Sequence, residues 1–210
     1  MGMIRGIVLA AGASSRMGQA KAALPIGTTG ETVVARVVRT LLAAGLPSVT
    51  VVAGAHIDAV RAAMPANEPR VRVVEHHGWA QGQLSSLLAG LAAVDDPQLE
   101  AILVTLVDVP LVRPDSVAAI VRAWRAGRAP IVRPVDGERH GHPVIFDRAV
   151  FEDLRRADPN VGAKAVFAIH ASRRLDVEIS DPGAFVDMDT PGDYRVILDR
   201  SEQNQNAPSR

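Results

Sequence analysis

The stretch IRGIVLAAGASSRMGQAK, residues 4–21, decides how the chain is read. Ile7, Val8, Leu9 and Ala10 are apolar on consecutive positions, as expected of a strand covered on both faces. The run breaks at Gly12, and Arg16, Gly18 and Lys21 follow in quick succession. In parallel α/β sheets, ligands sit beyond the carboxyl ends of the strands, where backbone amides and helix N-termini face outward. Gly12 and Gly18 predict turns that favour glycine, and the amides between them can form an anion-binding nest. Arg16 then supplies a forked donor and Lys21 a point charge. A polyphosphate suits this chemistry. A plain strand-to-helix turn with solvated Arg16 and Lys21 would use the same residues and stays open.

Further apolar runs recur along the chain: SVTVVAG at 48–54, RVRVVE at 70–75, AILVTLV at 101–107 and APIVRPV at 129–135. Between them, TVVARVVRTLLAAG, DAVRAAM, QLSSLLAGLAAV and PDSVAAIVRAWRAG carry apolar residues three and four apart, the period of helices with one buried face. Alternating strands and helices predict an α/β fold, Rossmann-like and three-layered, around a mostly parallel sheet. In the second half, HPVIF and RRLDVEI read as added strands, FEDLRRA and GAKAVFAI as helices, all extending or flanking that sheet. Residues 1–198 are expected to form one domain, and 199–210 a polar, structureless tail.

Composition narrows the function classes. With 210 residues, 48% of them hydrophobic, the chain can bury one sizeable core. Its 23 basic residues match 23 acidic ones, leaving no overall positive field for nucleic acid or an anionic membrane. The absence of cysteine removes disulfides and thiolate catalysis. No apolar run reads as a secretory core or a membrane span, so a cytoplasmic location is expected.

Two familiar phosphate-binding patterns do not fit. A P-loop needs Gly-Lys followed by Ser or Thr, whereas Lys21 follows Ala20; a dinucleotide fold needs its glycine fingerprint and an acid ending the second strand, which here closes Ala53-Gly54-Ala55-His56. Asp108 directly follows AILVTLV, which puts its carboxylate at the same sheet edge as the glycine loop, and Pro110 stops the strand. Magnesium takes one or two carboxylates and completes its shell with water and phosphate oxygens. Asp187 and Asp189, in FVDMDTPGDY, are candidates for a second ligand. These acids could equally serve a helix start, since Thr190 suits an N-cap, Pro191 a first helical position and Asp193 the third position beyond the cap.

Leu9-Ala10-Ala11-Gly12, Ser15-Arg16-Met17-Gly18, Lys21 and the following Leu24-Pro25-Ile26-Gly27 together resemble the signature of the molybdenum-cofactor nucleotidyltransferase family. Later motifs carry the resemblance over nearly the whole chain. It implies magnesium, with manganese as an alternative ion, held by Asp108 and Asp189, with Asp187 the weaker candidate. The resemblance also implies Arg16, Lys21 and Asp108 as the catalytic groups. Nucleotide contacts are implied at Leu9, Ala10, Ala11, Gly12, Arg16, Lys21, Gly54, Gly82, Ser85 and Ser86, and acceptor contacts at Gly141 and His142.

Within the family, Leu-Ala-Ala-Gly accompanies cytidylyl transfer and Leu-Ala-Gly-Gly guanylyl transfer. Gly82-Gln83-Leu84-Ser85-Ser86-Leu87 and Gly141-His142-Pro143-Val144 also resemble the cytidylyl branch, whereas Asp108-Val109-Pro110 replaces its common Asp-Gln-Pro. The implied reaction moves CMP from CTP to the phosphate of molybdenum-bound molybdopterin and releases pyrophosphate. An apo-molybdoenzyme is a further candidate partner. Alternatives are guanylyl transfer, another phosphate acceptor, a cofactor-carrying chaperone without catalysis, and a nicotinamide-dependent oxidoreductase. The histidines, including the adjacent His76 and His77, read as hydrogen-bonding groups, not metal ligands, and Trp79 and Trp124 as packing residues.

Overall fold

Each apolar run forms a strand, and the pairing order sets where the loops emerge. The computed structural model describes residues 2–65 and 67–206, with side chains described to residue 202. Four strands pair in parallel in the order β3 (Val71–Glu75), β2 (Val49–Ala53), β1 (Met3–Ala10), β4 (Leu99–Leu106). Val8 stands between Val51 and Thr105, and both neighbouring side chains are almost fully buried.

Beyond β4 the sheet continues through β7 (Val144–Asp147), β5 (Ile131–Asp136) and the short β6 (Arg139–His140), with β8 (Leu175–Glu178) pairing β5 in parallel. β7 runs antiparallel to both β4 and β5. The sequence predicted this strand as an extension of the sheet. Its antiparallel pairing with β5 follows from chain length: the link from Asp136 to Val144 is too short for the crossover that a parallel pair requires.

Alternate residues of the central strands feed two apolar layers. Ile4, Val8, Leu103 and Ala101 face one side, packing with Val37 and Leu41 of α1 (Val33–Ala43) and Ile120 and Trp124 of α4 (Pro114–Gly127). Ile7, Leu9, Ile102 and Val104 face the other, where Leu87 and Leu91 of α3 (Gln83–Val94) and Leu154 of α5 (Phe151–Arg156) cover them. This is the three-layer arrangement the sequence predicted, completed by α2 (Ile57–Ala62), α6 (Lys164–Ile169) and α7 (Pro191–Asn206). Among the described residues, no helix is long and apolar enough to cross a membrane.

The last helix departs from expectation. A structureless tail was expected from residue 199, yet α7 continues to Asn206, with Ile197 and Ser201 fully buried. The cause is a polar contact that hydropathy does not register: the Arg36 guanidinium donates to Ser201 Oγ at 3.1 Å. Residues 207–210 of the expected tail lie outside the described residues.

Trp124 is the largest fully buried side chain. Its Nε1 donates to Asp147 Oδ2 at 3.0 Å, and the Arg128 guanidinium stacks 4.1 Å from the ring. Trp124→Ala is expected to cost about 3–5 kcal/mol in urea unfolding, the usual range for emptying an aromatic core position.

Candidate active site

Parallel pairing brings the ends of β1 and β4 together. The Val107 amide donates to the Leu9 carbonyl at 3.1 Å, so the loops after Ala10 and Leu106 leave the sheet side by side. The segment before α7 joins them, with the Met188 amide donating to the Asp108 carbonyl at 2.9 Å. In the glycine loop, Gly18 takes a left-handed conformation at φ 69°, but the other left-handed residue is Ser14, at φ 50°, and not Gly12. Ser14 closes the turn by accepting the Met17 amide at its carbonyl (2.9 Å) and the Lys21 amide at its Oγ (3.4 Å).

Lys21 is the hub. Its Nζ donates to Asp108 Oδ2 at 2.9 Å, Asp189 Oδ1 at 3.0 Å and the Met188 carbonyl at 3.2 Å. Arg16 donates to the other Asp189 oxygen, Oδ2, at 2.8 Å. Burial works against the Lys21 ammonium, but the hydrogen bonds and charges of Asp108 and Asp189 outweigh it and raise its pKa. The Lys21 hydrogen bond holds the Asp189 carboxyl below its usual range, aided by the charges of Lys21 and Arg16. Asp187 is exposed and moves the other way: partial desolvation, then repulsion from Asp108 and Asp189, raises it.

The helix-start role of FVDMDTPGDY is also real, and different residues perform it. Asp193 Oδ2 accepts from the Thr190 amide and hydroxyl, each at 2.8 Å, and Thr190 Oγ1 accepts the Asp193 amide at 3.2 Å. This reciprocal cap leaves the Asp189 carboxylate to Lys21 and Arg16.

Asp108 Oδ1 is buried and accepts no hydrogen bond, although a buried carboxylate oxygen ordinarily has a partner. An oxygen pair with one orphan, next to a second carboxylate, matches what a magnesium or manganese ion needs when phosphate oxygens and water complete its shell. Among the described residues no group of three or more His, Cys, Asp or Glu could hold a metal by itself.

A cavity of about 350 Å³ opens beside the hub. Of the expected nucleotide contacts, Leu9, Ala10, Ala11, Gly12, Lys21, Gly82 and Ser86 line it, as does Asp108. Arg16, Gly54 and Ser85 do not. Arg16 stands outside on Asp189. Gly54 works through packing: a Cβ there would lie 2.6 Å from Trp79 Cβ and 2.8 Å from the Ala11 carbonyl oxygen. Ser85 Oγ lies 2.7 Å from the Gly82 carbonyl and 3.0 Å from His76 Nε2, bracing the turn before α3. Trp79 lines the cavity, as do His56 and Gln83, and His56 Nε2 is 2.8 Å from the Ala13 carbonyl. No local pattern marks Trp79 or His56 as cavity residues, because each reaches the site only through the packing of separate loops.

A second cavity, about 600 Å³, shares Leu9, Gln83 and Leu106 with the first. Gly141 and His142 line it, together with Arg133 and Lys164, which the sequence did not single out. Burial pushes His142 below its ordinary value of 6.5, against the charge of Asp108, a hydrogen bond to the Val104 backbone and the charge of Asp187. Its Nδ1 is buried without a partner.

Residues 6–176 match the MobA-like NTP transferase domain. The nicotine blue oxidoreductase of Paenarthrobacter nicotinovorans is 33% identical over 202 residues, covering 92% of this chain and 96% of that one. The molybdenum cofactor cytidylyltransferase of Escherichia coli is 28% identical (95% and 98% covered). A probable molybdenum cofactor guanylyltransferase of Mycolicibacterium paratuberculosis is 27% identical (92% and 94% covered). Among solved structures, Rv0371c of Mycobacterium tuberculosis superposes with a TM-score of 0.75 at 33% identity, covering 94% and 98% of the two chains. A complex of Rv0371c with manganese superposes at 0.71.

The His142 shift has a definite sign. Its folded pKa lies below the unfolded value, so on acidification the unfolded chain takes up the proton first and unfolding is favoured. The contribution is complete above 6.5 and is lost as the pH falls below it. Urea midpoints measured at about pH 7.5 and about pH 5.5 should differ less in His142→Gln than in the unaltered protein.

Proposed function

The chain belongs to the MobA-like NTP transferase family of nucleotidyltransferases, and we propose that it transfers CMP from CTP to the phosphate of molybdopterin with release of pyrophosphate. The observation that carries this reading is the Lys21 ammonium held between Asp108 and Asp189 at the mouth of the first cavity. In-line displacement at phosphorus needs no protein nucleophile; it needs charge neutralisation and alignment. The acceptor phosphate, with a second pKa near about 6, is already ionised at neutral pH, so no general base is required.

Asp108 and Asp189 would hold a divalent ion, which supplies charge neutralisation across the phosphate oxygens when bound. Lys21 and Arg16 rest on Asp189, which fixes both cations beside the glycine loop. Triphosphate oxygens compete with that carboxylate for them, Lys21 at the transferring phosphate and Arg16 at the departing ones. The first cavity takes the nucleotide and the second the acceptor, with Leu9, Gln83 and Leu106 at the border. Trp79 covers the nucleotide side, and Gly54 makes room for it.

For the base, Ala11 is buried and lines the first cavity, where its methyl narrows the space relative to the Gly of the guanylyl pattern. One methyl is worth about 1–3 kcal/mol of discrimination, enough for preference for CTP and not for exclusion of GTP.

One relative points elsewhere, since it is named an oxidoreductase. That reading lacks the dinucleotide fingerprint, and β2 ends without the acid that would hold a ribose. Hydride transfer also leaves Lys21, Asp108 and Asp189 without a task. Oxidation of NADH or NADPH by the purified protein, with no pyrophosphate formed from any triphosphate, would overturn the transferase reading.

With magnesium and molybdopterin, pyrophosphate release is expected to be faster from CTP than from GTP. Lys21→Ala and Asp108→Asn should each lower kcat by roughly a hundredfold or more, in line with loss of a transition-state electrostatic contact. Circular dichroism should show both variants folded.

A further inference from the structure

The 23 basic residues of this chain are 21 arginines and only two lysines, Lys21 and Lys164. Arginine does the surface ion pairing: among the described residues every ion pair not made by a histidine or by Lys21 uses an arginine. Each lysine lines one of the two cavities, Lys21 the first and Lys164 the second. Lysine is a compact point charge on a flexible stem, suited to an anion that must be met without fork geometry.

The Lys164 side chain is exposed and makes no ion pair or hydrogen bond among the described residues. Arg133, the other cation lining the second cavity, is already committed, donating to Asp176 Oδ1 at 2.8 Å and Oδ2 at 3.1 Å. Gln83, His140, His142 and Asn160 add polar groups, and much of the remaining wall is apolar. Leu84, Leu87 and Val144 line the cavity with Phe146 and Phe167, whose rings meet edge to face at 5.7 Å and 77°. A slot with aromatic walls and one uncommitted ammonium fits a flat body that carries an anion.

We propose that Lys164 binds a second anionic group on the acceptor, distinct from the phosphate that receives the nucleotide. Lys164 is not among the residues shared by the two cavities, so it meets the acceptor away from the border where transfer occurs. On this reading the acceptor carries at least two anionic groups, one at the border and one at Lys164. This inference rests on the transferase reading for its first test and stands apart from it in the second.

The first test is kinetic, with CTP, magnesium and molybdopterin. Lys164→Met, which keeps the stem and removes the charge, should raise the KM for molybdopterin by about tenfold or more, the worth of a hydrogen bond to a charged group. The KM for CTP should stay within about twofold, and Lys164→Arg should recover most of the loss. An unchanged KM for molybdopterin in Lys164→Met overturns the inference and leaves the transferase reading standing.

The second test needs no turnover. With two lysines in the chain, acetic anhydride labelling read by mass spectrometry reports Lys164 directly, with Lys21 as internal reference. Pterin-6-carboxylate, a flat fused ring with one carboxylate, should slow acetylation of Lys164 more than that of Lys21. If the unaltered protein releases no pyrophosphate, the transferase reading fails, and protection of Lys164 still supports an anion site in this cavity. Equal labelling with and without the pterin overturns the site.

Discussion

The candidate site depends on one ammonium held between two carboxylates. Asp108 is 87 residues from Lys21 and Asp189 is 168 residues away, yet both reach the same Nζ within 3.0 Å. Two carboxylates that close repel each other strongly in a partly dry site, so without a cation at least one would be driven toward its neutral form. Asp187 adds a third carboxylate, whose pKa is raised first by partial desolvation and then by repulsion from Asp108 and Asp189. Lys21 and Arg16 compensate through Asp108 Oδ2 and both Asp189 oxygens, which leaves Asp108 Oδ1 without a partner. Three ion pairs thus meet on two carboxylates.

The sheet makes this cluster possible and gives it two sides. Because β1 and β4 are parallel neighbours, their carboxyl ends open together, and Leu9, next to last in β1, and Leu106, last in β4, belong to both cavities. β7 then turns antiparallel beside β4 and delivers Gly141 and His142 to the second cavity from the opposite chain direction. An all-parallel sheet would need a long crossover at this point, and the two cavities would not share a wall so directly. Alignment of two reactants across a common border is the main catalytic resource of a group transfer without a protein nucleophile.

Much of this was legible in the sequence, for local reasons. The strands and helices follow from apolar runs and helical spacing, and the pairing of the glycine loop with Asp108 follows from both ending parallel strands. What was not legible depended on distant partners. Ser14, not Gly12, takes the left-handed turn, because the turn is closed by the Met17 and Lys21 amides. Ser85 braces a turn and does not line the first cavity, because His76 lies within reach of its hydroxyl. Trp79 read as packing, and it both packs on Gly54 and lines the cavity. Arg133 and Lys164 carry no local signature; only folding places them in one cavity.

The tail shows most clearly how a polar sequence can serve the site. By hydropathy, residues after 198 have no reason to order, yet α7 runs on and buries Ser201 against Arg36. That anchoring matters at the other end of the same helix. Asp193 caps the helix start by accepting from the Thr190 amide at 2.8 Å and the Asp189 amide at 3.2 Å. Tyr194 donates to the Pro25 carbonyl at 2.6 Å, tying the first turn to the chain just beyond Lys21. Asp189 is therefore held from both sides, by a cap behind it and by Lys21 in front. A carboxylate on a free loop would spend its attraction to Lys21 on ordering itself. One positioned by a docked helix keeps that attraction for Lys21 and Arg16.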